Sequence, residues 1–569
     1  MATELFRFLA CVLVLTIPGV LLAARLRLGP NRLECWSHGA CLGLALAVYI
    51  ASVISHFNLA WFNAAWAIVG ILSLVAFCRP PMPRFAEEQS RSSTTRWLPL
   101  VLLIVAVSRY AFILGHVVPN GDDPPIFLIL ARKIQLAQHA VYDWSPFETA
   151  PLNYPTGAHT LLAVMSSMCG LPLETVFKYL IPFMGILMTA QVFIFAKGVT
   201  ADPTAALFAA LAYGLWAGDG SIRFYNWGGL PNELAILLFL STLTAWLESC
   251  RWPNRLAAMS VLYAAVILVH HHTLLASAGV IATLLAVTIF RAATRPAALL
   301  LLGSGIGALA LDSFFVVSYA AKAATLSSTN VFHSEWRLNL LVSGEHIGFA
   351  YVLAAAVGLA VCLRQRRILL HPAAIGACAA LAAMFIACEY ILPIWLSPRG
   401  RFPTTVFAPS HFLNEIVCFL AVFVGIAIAW VQHELRLRTG AVVAAMLLVG
   451  VSQLDAWREI AEGPSITPEY VQACHWIQHN TSPTTLLLAD NWGMYLSWRR
   501  GATFWLPDSE SHANLHPQAL RIPLIESGQI PPDSPDMKIV EIVHPPTDSS
   551  RQVLWRGSGG MEVVQDWPR

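Results

Sequence analysis

Two adjacent carboxylates, Asp122 and Asp123, stand in the stretch GHVVPNGDDPPIF, directly after a strongly apolar run and in a chain sparing with acids. Asp at an N-cap with Pro at the first helical position is an ordinary helix start, and that accounts for Asp123 before Pro124. It does not account for Asp122, which is the first candidate for a functional acid at a membrane border. A second polar concentration lies in WAGDGSIRFYNWGGLPNEL, with Asp219, Arg223, Tyr225, Trp227 and Glu233. Acids, an arginine, aromatics and paired glycines in one short loop suit a sugar-phosphate, because aromatic faces pack on pyranose rings and a guanidinium grips phosphate through two hydrogen bonds. The bland alternative for the aromatics is interfacial anchoring.

Three histidine or arginine groups join them. NYPTGAHTLLAV places His159 in the first turn of an apolar segment, behind Tyr154 and Pro155. The run VHHHTLL contains His270, His271 and His272. Successive helical residues point about 100° apart, so the three do not share one metal, and at most one or two, such as His271, line a cavity. LPIWLSPRGRFPTTVF offers Arg399 and Arg401 beside aromatics, either as snorkelling side chains or as a clamp for a lipid-linked phosphate.

What must position these residues is a bundle of apolar helices. The chain has 569 residues, 57% hydrophobic and 12% charged, and apolar stretches of about 20 residues recur along it, as in a polytopic membrane protein. A net charge of +2 gives no reason to expect nucleic acid as a partner. Most cysteines (Cys11, Cys41, Cys169, Cys378, Cys388, Cys418) lie inside apolar segments, and Cys474 is alone in the tail, so no disulfide framework is expected.

Positive loops mark the inner side. Arg25, Arg27 and Arg32, then Arg79 to Arg96, then Arg251 and Arg255, Arg291 and Arg295, Arg364 to Arg367, and Arg436 and Arg438 read as inner. Loops 118–155, 218–230, 321–345 and 396–408 then fall outside. Between residue 155 and Arg251 four apolar segments occur where an odd number of crossings is needed, so one of the short ones, 156–170 or 202–217, is expected not to span. PPIFLILARKIQLAQHA reads as an amphipathic helix in the interface. Asp312 and Glu389 are the notable charges within apolar segments. The tail holds one helical piece, PEYVQACHWIQHN, and strand-like runs TTLLLAD, MKIVEIV, RQVLWRG and MEVVQDW.

The expected fold class is an all-α polytopic membrane protein of about 13–15 transmembrane helices with a small C-terminal α/β domain on the outer face. Its parts are an N-terminal helical segment 1–96, a transmembrane core 97–455 and an extracytoplasmic domain 456–569.

These landmarks, in this order, resemble the GT-C superfamily of membrane glycosyltransferases, with its protein O-mannosyltransferases, oligosaccharyltransferases and aminoarabinose transferases. The features that carry the resemblance are GDDP at 121–124, the interfacial segment 125–139, YPTGAH at 154–159, the loop of Asp219, the late arginine–aromatic segment and the tail stretch CHWIQHNTSPTTLLLADNWGMYLSWRRG. Three helices precede the one leading into the acidic loop, where the family usually has one, and no WWD motif occurs. The resemblance implies transfer of a sugar from a polyprenyl-phosphate donor to a lipid, glycan or protein acceptor on the outer face of a plasma or inner membrane. It assigns Asp122, with Asp123 and Asp219, to catalysis. Arg223, Arg399 and Arg401 would hold phosphate, and Tyr225 and Trp227 the sugar, with His159, Glu233 and His271 nearby. No clear DxD is present, which leaves a divalent metal open. A transporter or lipid/polysaccharide flippase is the alternative, disfavoured because the polar residues gather in outer loops rather than at the bilayer midplane.

Overall fold

The computed structural model describes residues 2–79, 95–143, 152, 154–248, 251–290, 294–316, 347–365, 372–387, 409–450, 454–462, 466–482, 485–488, 491–501, 539–543 and 552–566, except residues 30, 114, 122 and 559. Asp122, Arg399, Arg401, Glu389 and the loop 321–345 lie outside this set.

The chain runs α1 Ala2–Leu26, α2 Arg32–Ser55, α3 Phe62–Cys78, α4 Leu98–Ile113, α5 Asp123–Ala137, α6 Gly157–Cys169, α7 Leu173–Thr200, α8 Pro203–Trp216, α9 Phe224–Trp227 and α10 Leu230–Leu247. Then follow α11 Trp252–Val269, α12 His271–Ile289, α13 Arg295–Leu311, α14 Phe349–Arg364, α15 Pro372–Ile386, α16 Pro409–Glu434 and α17 Thr439–Gly450. The tail adds α18 Leu454–Glu462, α19 Pro468–Asn480 and α20 Asn491–Ser497, with strands β1 Leu486–Leu488, β2 Arg500–Gly501, β3 Ile539–Val543, β4 Gln552–Arg556 and β5 Glu562–Asp566.

The protein is an all-α multi-pass membrane protein in its main body. Among the described residues eight helices are long and apolar enough to cross a membrane, and seven shorter apolar helices lie among them.

Hydrogen bonds between distant segments sort the helix ends into two groups. At one end, Arg7 in the first turns of α1 donates to Gly170 O at 2.8 Å, and the end of α2 meets residue 140 through Ala140 N to Ser55 O. We call this the site end. At the far end Arg25 donates to Arg79 O at 3.0 Å, Asn254 to Leu26 O at 2.9 Å and Lys197 pairs with buried Glu34 at 2.6 Å.

Helix α6 resolves the parity problem. It has 13 residues, about 20 Å at 1.5 Å per residue, against a hydrocarbon core of about 30 Å. Its C-terminal Gly170 meets the start of α1, and a Cβ on its first residue, Gly157, would lie 2.5 Å from Leu268 O at the end of α11. Both ends of α6 therefore sit at the site end.

Helices α1 and α2 approach through small residues: a Cβ on Gly19 would lie 2.2 Å from Gly39 O and Gly43 N. Such contact between backbones is how apolar helices associate where no hydrophobic drive separates them from lipid. Arg109 (α4), Lys178 (α7), Glu233 (α10) and Glu415 (α16) are all buried in helices of the bundle. Asp312, expected from the sequence, is buried as well, and these four charges join it.

In the tail, the helix falls on PEYVQACHWIQHN as expected, and the four strand-like runs become β1, β3, β4 and β5. The sheet order is β2-β1-β3-β5-β4, with β1 parallel to β2 and β3, and β5 antiparallel to β3 and β4. Ala473 and Ile477 of α19 pack on Leu487, Val540 and Val563 of the sheet. Arg499 closes the α19 C-terminus, donating to Gln478 O at 2.7 Å and Thr481 O at 2.6 Å, where a helix has carbonyls to spare.

Candidate functional site

Helix α5 begins at Asp123, followed by Pro124 and Pro125. Proline fits there because the first turn has no intrahelical use for its N–H. The sequence reading laid this helix in the interface; most of its apolar residues are covered by protein, while Leu136 near its C-terminus is exposed. Leu128, Ile129, Leu130, Ala131 and Ile134 are buried, because α6 lies beneath and α20 of the tail lies against it. Lys133 donates to Asp143 O at 2.5 Å and reaches Asp143 Oδ1 at 3.2 Å; burial lowers its pKa from the ordinary lysine value, opposed by Asp143.

The segment before α5 is clamped by residues remote in sequence. Asn120 Nδ2 donates to Ile460 O at 3.1 Å, and Trp492 Nε1 donates to Gly121 O at 3.2 Å. Arg132 donates to Tyr495 O at 3.2 Å and lies 4.5 Å over the Trp498 ring. Tyr495 Oη donates to Glu174 at 2.7 Å.

The second polar loop folds as a single π-helical turn, Gly218–Ile222, followed by α9. Isolated π turns are rare and recur at functional sites. The loop returns to the first acidic loop at Gly228, where φ is +76° and a Cβ would lie 2.2 Å from Pro124 Cγ. It also packs on α16, where a Cβ at Gly220 would lie 2.3 Å from Asn414 O. Glycine is needed at both places for space as well as for φ.

Of the expected site residues in this loop, Arg223 is half-buried and Tyr225 buried. The Tyr225 ring faces the Arg109 guanidinium at 4.8 Å rather than open space, which differs from a residue expected to seat a sugar. Burial pushes its hydroxyl well above the usual tyrosine range, and Arg109 opposes this. Glu233 is fully buried. Its Oε1 and the Tyr225 hydroxyl converge beside Gly185, at 3.5 and 2.8 Å from where a Cβ would stand. The side chains of Asp219 and Trp227 lie outside the described set.

The histidines divide by direction, as the helical geometry requires. His270 is the N-cap of α12, its Nδ1 accepting from Thr273 N at 3.2 Å. His271 meets the Tyr154 ring at 5.1 Å. His272 turns to the opposite side, 3.7 Å from Glu415 and 4.4 Å from the Phe412 ring. His159 is buried between Tyr154 and Phe127, each 5.6 Å away. Asn232 joins the groups, donating to Thr273 Oγ1 at 3.0 Å and accepting from Asn414 at 3.4 Å. The expected residues Asp123, His159, Arg223, Tyr225, Glu233 and His271 therefore share the site end.

Arg109, Asn232, Glu415 and Trp492 belong to the same neighbourhood and escaped the sequence reading. The signal for Arg109 and Glu415 was an isolated charge inside an apolar segment. Among the described residues no group of three or more His, Cys, Asp or Glu side chains is placed to hold a metal ion.

No family model matches the sequence, and no curated protein does. Solved structures do. The oligosaccharyltransferase of Archaeoglobus fulgidus in its apo form superposes with a TM-score of 0.52 at 13% identity, covering 80% of this chain and 70% of that one. The same protein in complex with Zn and sulfate gives 0.50 at 14% identity, covering 78% and 68%. The chain has a GT-C fold. At this identity the likeness concerns the course of the helices alone.

Proposed function

We propose that the protein is a membrane glycosyltransferase that moves a sugar from a polyprenyl-phosphate-linked donor to an acceptor hydroxyl or amide on the outer face of the membrane. The observation that carries this reading is the meeting of both acidic loops and the tail at one end of a GT-C fold, through Gly228 on Pro124 and Trp492 on Gly121. An outer location of that end is supported by the far end, which holds Arg25, Arg79, Arg251, Arg255, Arg295, Arg364, Arg436 and Arg438.

In this reading the acceptor attacks the anomeric carbon as the bond to the lipid phosphate oxygen breaks. The acceptor proton passes to Asp122, and the electron pair of the broken bond leaves with the phosphate. Arg223, with Arg399 and Arg401, holds the departing phosphate through charge-assisted hydrogen bonds. Tyr154 and His271, both partly exposed, form an aromatic wall that suits the sugar, with buried His159 behind Tyr154. The acceptor is a lipid, a glycan or a protein.

The test is transfer by purified protein in lipid, with radiolabelled polyprenyl-phosphate sugars and a membrane extract as acceptor. Wild type and Asp122→Asn are compared after size-exclusion profiles show both folded. The expected result is loss of at least about 100-fold in the mutant. Transfer that survives the substitution moves the base to Asp219 or Glu233. No transfer by wild type, with a working control enzyme, sinks the reading and favours transport.

A further inference from the structure

We infer that helix α18 is a bracket that fixes the two acidic loops relative to each other, with Trp457, Arg109 and Asn120 as positioning residues. The catalytic consequence rests on the glycosyl-transfer reading; the mechanical one does not.

One side of the bracket reaches the loop of Asp219 through Arg109. The Trp457 ring, buried at 8% exposure, lies 5.2 Å from the Arg109 guanidinium, whose other neighbour is the Tyr225 ring. Arg109 is 1% exposed, and its terminal nitrogens donate to Ser221 of the second loop and to the end of α8. Nη1 donates to Ser221 O at 3.2 Å, while Nη2 donates to Ser221 Oγ at 2.7 Å and Gly214 O at 3.0 Å. Tyr213 Oη donates to Gly220 O at 2.7 Å, and Ser221 Oγ to Tyr213 O at 2.7 Å. The π turn is thus pinned at 220 and 221, immediately after Asp219. Burying an arginine is costly, and the planar fork is suited to gripping several acceptors at fixed angles. Here those acceptors tie the loop at Ser221 to the end of α8 at Gly214.

The other side of the bracket reaches the first acidic loop. Ile460 O accepts from Asn120 at 3.1 Å, and Ala461 O accepts from His116 Nε2 at 3.4 Å. Residues three and four positions after Trp457 lie on the same helix face as Trp457. They also fall in the last turn of α18, where carbonyls lack intrahelical partners. The same face therefore presents an aromatic ring to one loop and spare acceptors to the other. Bringing the two loops to one reacting centre requires this kind of register, since a displacement of about 1 Å costs on the order of 100-fold in rate.

The test uses the full chain in lipid nanodiscs, comparing wild type, Trp457→Leu, Trp457→Phe and Asn120→Ala. Amide hydrogen exchange is read by mass spectrometry in peptides covering 114–121 and 218–223, and kcat and KM are measured in parallel. Loss of one hydrogen bond or stacking contact to a charged group predicts exchange faster by about tenfold. Trp457→Leu is expected to speed exchange in both peptides and to lower kcat with KM unchanged, while Trp457→Phe, which retains a ring face, restores both. Asn120→Ala serves as the second variant and is expected to loosen 114–121 and lower kcat in the same way. The bracket is overturned if Trp457→Leu loosens 218–223 alone or neither peptide, or if Phe fails to rescue. Should wild type show no transfer, the exchange data still decide the bracket, and only the enzymatic reading falls.

Discussion

Gly228→Ala tests the joint between the two acidic loops with a single methyl group. The residue sits at φ +76°, where an L side chain costs about 1–2 kcal/mol. The new Cβ would also lie 2.2 Å from Pro124 Cγ and 2.4 Å from Pro124 Cδ. A proline ring has no rotamer to swing away, so backbone must move, and overpacking of this kind costs about 1–3 kcal/mol. The combined strain is about 2–5 kcal/mol. The cheapest relief is to push Pro124, and with it the start of α5 at Asp123, away from the second loop. Transfer activity is therefore expected to fall at least about tenfold, equivalent to about 1.4 kcal/mol of lost transition-state stabilisation. Gly115→Ala is the matched control, because nothing lies within 4 Å of its Cβ position and its φ is not positive. The assay is radiolabelled transfer in nanodiscs, with thermal unfolding followed for each variant. Activity and unfolding midpoint of Gly228→Ala both indistinguishable from Gly115→Ala would refute the close joint between the loops.

Three further outcomes are expected. Lys197→Ala removes the cationic partner of Glu34, a 3% exposed carboxylate that keeps its hydrogen bond from Asn31, and is expected to cost about 1–3 kcal/mol; chemical denaturation in mild detergent reads it, and a cost below about 1 kcal/mol would make the pair dispensable. Arg132→Ala removes the contact to Tyr495 O and the stacking on Trp498, worth about 0.5–2 kcal/mol; limited proteolysis should cut the tail faster, with Arg132→Lys giving only partial recovery because a lysine lacks the planar fork. Burial, aided by Lys178, lowers the His116 pKa from 6.5. The unfolded or undocked form then binds more protons, so docking stability is fully present above pH 6.5 and falls as pH drops toward the lowered folded value. The opening equilibrium of residues 454–462, read as exchange rate divided by the intrinsic rate at each pH, should rise as pH falls from 7.5 to 5.5, roughly one unit either side of the ordinary histidine pKa, and His116→Asn should flatten that dependence.

Much of this was legible in the chain because it is local. Apolar length fixes which segments become bundle helices, the Asp-Pro pair fixes the start of α5, and alternation with turn residues marks α19, β1, β3, β4 and β5. Charge in the loops gave an alternating topology and the odd crossing count, and the shortness of the apolar segments 156–170 and 202–217 was enough to name them as the two candidates for not spanning. Three adjacent histidines had to diverge, and they do. The sequence could not show which segment of the two stops short, since that depends on Arg7 meeting Gly170 and Gly157 meeting Leu268. Nor could it show that Trp492 reaches Gly121, 371 positions earlier, that Arg109 pins the π turn, or that α20 of the tail packs on α5. These contacts leave no periodic trace, because they join single residues from segments whose separation along the chain bears no relation to their separation in space. Local physics determined the elements and the types of residue available for chemistry; only packing decided which of them meet.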